Sequence, residues 1–181
     1  GVLIGISTSL LVGILLIVSG IDVLANSGGS LLQETVTVSL MGYIFIFLGL
    51  VIVHGAFFSS LYGILAIGVG IAFGKQNNIF SVTAKELLEF LRTILVPLIA
   101  GISFTLLIIL LGYNSGNFWD NSLLILLSSS ISYLLFSIPI YVKIVSDGIS
   151  LGLQKSGFYA KLSTLRKRVF KQPHQIATSY E

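Results

Sequence analysis

The sequence contains no cysteine. That absence excludes a disulfide, a thiolate nucleophile, an iron–sulfur cluster and any Cys-ligated zinc. Charge is almost as scarce: Asp, Glu, Lys and Arg make up 9% of the 181 residues, where soluble domains carry about a quarter. So few charges leave the surface of a water-soluble domain of this length uncovered. Hydrophobic residues make up 55% of the chain and mean hydropathy is +1.01. These values predict a polytopic helical membrane protein, in which lipid rather than a protein core accepts the apolar surface.

Also lacking are G-x-x-x-x-G-K-[ST], G-x-S-x-G, H-E-x-x-H and paired intramembrane carboxylates. ATPase, serine hydrolase, zinc protease and proton-pump chemistry each miss their required groups. The expectation is a protein that is not an enzyme on its own and needs no cofactor. The net charge of +3 arises in the C-terminal tail, so nucleic-acid binding is not implied.

What is present is a set of long apolar runs. All ten Lys and Arg residues fall within Lys75–Arg92 and Lys143–Lys171. The expected fold is an all-α bundle of about five transmembrane helices, at 2–24, 36–53, 61–74, 94–111 and 122–142, followed by a basic amphipathic interfacial helix. Residues 1–146 form the expected membrane domain and 147–181 the basic cytoplasmic tail. Val2–Leu24 lacks a basic flank and is longer than a signal-peptide core, so it reads as a span. Val36–Gly74 is too long for one crossing of a hydrocarbon layer of roughly 30 Å, which argues for a break at His54–Ser60. The piece 61–74 is short for a full crossing.

Local signals add detail. Ala25–Ser30 reads as a loop, and Thr83-Ala84-Lys85-Glu86 as a capping box that starts a helix. Pro97 should bend that helix, and Tyr113–Asn121, with Trp119, reads as a loop at the headgroup level. Because basic loops stay in the cytoplasm, five spans place Gly1 outside and the C-terminus inside.

Small residues recur at intervals of four in Gly5, Ser9, Gly13 and in Ala66, Gly70, Gly74, predicting close helix packing. His54 is a candidate proton relay or shared b-type haem ligand; Met41, on the same helix, cannot face it across a haem. Asp22 lies in the last turn of span one, and Lys143 and Asp147, spaced i and i+4, read as an interfacial pair. Ser128, Ser129, Ser130 and Ser132 place hydroxyls in the last span, where they could line a polar path. In the tail, Phe158, Leu162, Leu165 and Val169 share one helical face. Lys155, Lys161, Arg166, Lys167, Arg168 and Lys171 offer charge to anionic lipid.

The functional expectation is an auxiliary integral subunit of a larger membrane assembly, of the electron-transfer or secretion type, whose partners are other membrane subunits and anionic lipids. The alternative is a small oligomeric channel or solute transporter.

Overall fold

A computed structural model describes residues 2–27, 33–74, 81–114 and 122–171. The chain forms α1 (Val2–Ser27), α2 (Gln33–Phe73), α3 (Ala84–Asn114), α4 (Ser122–Lys155) and α5 (Phe158–Lys171). The first four are each long and apolar enough to cross a membrane. The protein is therefore a multi-pass all-α membrane bundle with a short fifth helix, and the long helices among the described residues number four where five were expected.

The difference lies in α2, which runs unbroken through His54–Ser60 for 41 residues, about 60 Å. Two of the polar residues that suggested a break, His54 and Ser60, satisfy themselves locally. His54 Nδ1 lies 2.8 Å from the Leu50 carbonyl oxygen, and Ser60 Oγ donates to the Ala56 carbonyl at 2.7 Å. A side chain bonded to its own preceding turn leaves the helical ladder intact, and in lipid an interrupted ladder would go unsatisfied. The segments 36–53 and 61–74 are consequently one helix. At the other end of the chain, α1 continues to Ser27, with Asn26 Nδ2 donating to Asp22 Oδ1 at 3.1 Å, so Ala25–Ser27 are helix rather than loop.

Neighbouring helices alternate in direction. Gly13 meets Gly49, and Gly20 meets Gly42, which makes α1 antiparallel to α2. Tyr62 stacks on Phe90 with ring centroids 4.2 Å apart, and Gly55 lies against Leu91, so α3 returns along α2. Gly101 meets Phe136, and Lys155 reaches Glu86, so α4 reverses again and runs parallel to α2. His54 contacts Tyr133, Phe58 contacts Tyr141 and Gly148 contacts Leu65 along that α2–α4 seam. An even number of passes brings the start of α1 to the end of the bundle where α4 finishes.

The centre is filled by Phe58, Ile94 and Ile140, all fully buried. α4 passes without interruption across the expected 146/147 domain boundary. It ends at Lys155, where Gly157 at φ +69° turns the chain into α5. Only glycine adopts that left-handed conformation without strain. α5 docks by Phe158 against Phe73 at the end of α2.

Candidate functional site

The basic end of the bundle carries the densest chemistry. The capping box forms as the sequence predicts: the Thr83 backbone N–H donates to Glu86 Oε2 at 2.8 Å, and the Glu86 N–H donates to Thr83 Oγ1 at 3.3 Å. The Thr83 hydroxyl donates to the same carboxylate oxygen at 2.9 Å. Lys155, from the end of α4, completes this arrangement, with Nζ 2.8 Å from Glu86 Oε2 and 2.6 Å from the Ser81 carbonyl oxygen. Lys155 is thus bound within the chain rather than presented to lipid headgroups. One carboxylate caps α3 and ties it to α4.

A polar crevice of about 290 Å³ opens beside this clamp, bordered by Tyr62, Glu89, Thr93, Asp147 and Gln154. Its carboxylates are engaged: Asp147 pairs with Lys143 at 2.9 Å, in the i, i+4 arrangement anticipated, and Glu89 lies 3.9 Å from Lys85. Among the described residues no group of three or more His, Asp and Glu is placed to hold a metal ion.

A second cavity, of about 460 Å³, is an apolar groove between α1, α2 and the start of α3. Gly5 and Ser9 form one wall, Gly55 and Ala56 the floor, and Leu88 and Leu91 the other wall. It exists because α1 packs along α2 and leaves a gap toward α3.

The expected packing residues divide between these features. Gly13 makes the predicted close approach, since a Cβ there would lie 2.9 Å from the Gly49 carbonyl oxygen. Gly5 does not: nothing lies within 4 Å of its Cβ position, and with Ser9 it faces the groove. Ala66 is buried at the α2–α4 contact, where a Cβ on Gly152 would lie 2.7 Å from its carbonyl oxygen. Gly70 is buried near the end of α2, and Gly74 lies just past it, half-buried.

Residues that the interval-of-four pattern missed are Gly20, Gly42 and Gly49. A Cβ at Gly20 would lie 2.6 Å from the Gly42 carbonyl oxygen. The overlooked signal is a spacing of seven, two helical turns, shared by Gly13 and Gly20 on α1 and by Gly42 and Gly49 on α2. Gly101 and Gly152 play the same part elsewhere, against Phe136 and Val69.

His54 is half-buried on α2 between the rings of Phe58 and Tyr133. A carbonyl oxygen can only accept, so Nδ1 carries the hydrogen donated to Leu50. The serine set also divides. Ser128 and Ser130 face outward, while Ser129 and Ser132 are buried. Ser129 donates to the Leu126 carbonyl, but Ser132 Oγ and Thr105 Oγ1 are buried with no hydrogen-bond partner.

On α5, Leu162, Leu165, Lys161 and Arg166 are exposed, and Lys161 Nζ reaches the Phe73 carbonyl oxygen at 3.4 Å. The side chains of Lys167, Arg168, Val169 and Lys171 lie outside the described residues, as do residues 115–121 of the expected Tyr113–Asn121 loop, with Trp119; Tyr113 and Asn114 belong to α3 rather than to a loop.

No protein-family model, curated protein or solved structure matches this chain.

Proposed function

We propose that the chain is an auxiliary integral subunit of a larger membrane assembly of the electron-transfer or secretion type, packing on partner subunits and on lipid and performing no catalysis of its own. The observation that supports this reading is the closed apolar centre. Phe58, Ile94 and Ile140 plug the space between α2, α3 and α4, and among the described residues no charged side chain is buried. A pump or carrier of ions ordinarily holds such charges in the membrane because they move the cargo. Apolar side chains instead project outward along α1, α3 and α4, as Leu3, Val96 and Leu135 do, and offer surface to lipid or to other helices.

The basic end, with Lys85, Arg92, Lys143 and α5, is assigned to the cytoplasm because such loops retain Lys and Arg. Four passes then place the start of α1 in the cytoplasm too, in place of the outward start that five spans required. Exposed Leu162 and Leu165 beside Lys161 and Arg166 suit α5 to the surface of an anionic leaflet.

Affinity purification in mild detergent tests the reading. Stoichiometric foreign membrane subunits are expected. A homo-oligomer free of other proteins would overturn it and favour the channel alternative.

A further inference from the structure

The groove between α1, α2 and α3 has basic side chains beside its α3 wall. Arg92–Tyr113 and Ser122–Lys143 each advance 21 residues, about 31 Å, which matches a hydrocarbon layer of roughly 30 Å. Val2–Leu24 covers about the same length, so Val2, Arg92 and Lys143 mark one hydrocarbon edge. α3 continues two turns beyond this edge into the headgroup layer, to Lys85. The groove follows it, from Ala84 and Leu88 at the top to Leu95 and Val51 within the hydrocarbon.

Lys85 and Arg92 are seven residues apart and therefore project from the same side of α3, next to Leu88 and Leu95 on the groove wall. Both are exposed. Arg92 makes no ion pair among the described residues, and Lys85 has only the 3.9 Å contact to Glu89. Two cations thus flank the α3 wall of an apolar groove whose volume of about 460 Å³ is within the usual range for small-ligand sites.

From this we infer that the groove is a binding site for one anionic glycerophospholipid, with an acyl chain lying between Gly5 and Leu88 and the headgroup phosphate held by Lys85 and Arg92. Gly5 matters because it carries no side chain to fill the space, and nothing lies within 4 Å of its Cβ position. The phosphate is attracted from a layer where long Lys and Arg side chains naturally extend their charged ends. The site is separate from the basic face of α5. It depends on the membrane spans alone and not on the role as a subunit, so its failure leaves the copurification test untouched.

The test is native mass spectrometry of the whole chain, released from detergent after incubation with phosphatidylglycerol or phosphatidylcholine. One phosphatidylglycerol per chain should be retained, about tenfold over phosphatidylcholine. Replacing both Lys85 and Arg92 with Gln should bring the two lipids to within about twofold of each other. Gly5→Phe, at a position with open space around it, should displace both lipids while the thermal midpoint is kept. Lys161→Gln with Arg166→Gln should leave retention unchanged. The charge variant alters only exposed residues, so it decides the matter even if Gly5→Phe impairs folding. Equal retention of the two lipids by the wild-type chain would overturn the site, as would a preference that survives loss of both cations. A dimer that Gly5→Phe converts to monomer would also overturn it and assign the groove to a second copy of this chain.

Discussion

Gly13 and Gly49 face each other across the α1–α2 contact so closely that neither tolerates a side chain: a Cβ on Gly13 would stand 2.9 Å from the Gly49 carbonyl oxygen, and one on Gly49 would stand 2.6 Å from that of Gly13. Two turns away, Gly20 and Gly42 repeat the arrangement. Without a hydrophobic force between helices in lipid, such backbone approach is what holds α1 to α2, through van der Waals packing.

Gly13→Leu should therefore weaken the α1–α2 pair by about 1–3 kcal/mol, the usual range for overpacking. Gly68→Leu is the matched control, since nothing lies within 4 Å of the Gly68 Cβ position. Thermal unfolding in detergent should show a lower midpoint for the first variant and none for the second. Equal midpoints would remove the packing argument.

The Lys155–Glu86 pair joins the ends of α4 and α3 with about a quarter of each side chain exposed. A double-mutant cycle with Lys155→Ala and Glu86→Gln should give a coupling of about 1 kcal/mol, larger than that of the exposed Lys85–Glu89 pair. Chemical denaturation in detergent measures both. A coupling no greater than that of the exposed pair would show that the clamp adds nothing beyond the helix cap.

A chain without cysteine suits single-Cys labelling. With four passes and a cytoplasmic basic end, a Cys at Asn26 should react with an impermeant reagent from outside, and a Cys at Ser163 only after the membrane is opened. Five passes would put Asn26 on the same side as Ser163. Protection of Asn26→Cys in intact cells would therefore restore that count.

For α5, a peptide covering Ser156–Gln172 should become helical on anionic vesicles and release as salt rises, each basic residue adding about 1 kcal/mol at low salt. On neutral vesicles it should bind weakly. Equal binding to both vesicle types would assign α5 to apolar anchoring alone.

Much of the architecture was legible in the sequence because it depends on local spacing. The capping box at Thr83 and Glu86 and the Lys143–Asp147 pair are contacts within one helical turn, and they form as the spacing predicts. Membrane residence follows from composition in the same way: too little charge exists to coat the apolar runs, whatever their arrangement.

The remaining features belong to the tertiary structure. His54, Gly55, Ser59 and Ser60 carry a signature that reads equally as a loop or as self-bonded helix. In the fold, Leu91 packs on Gly55 and Tyr133 on His54, so this stretch of α2 lies against neighbouring helices. Gly13 and Gly5 are indistinguishable along α1; antiparallel pairing with α2 sends one to a backbone contact and the other to an open groove. Lys155 looked like a free tail cation until the reversal of α4 against α3 brought it to Glu86, 69 residues away in sequence. Composition and helical period determined what each helix is, because hydrogen bonding within a helix reaches only four residues. Which faces meet was decided only by the register between helices, because that contact energy depends on residues distant in the chain.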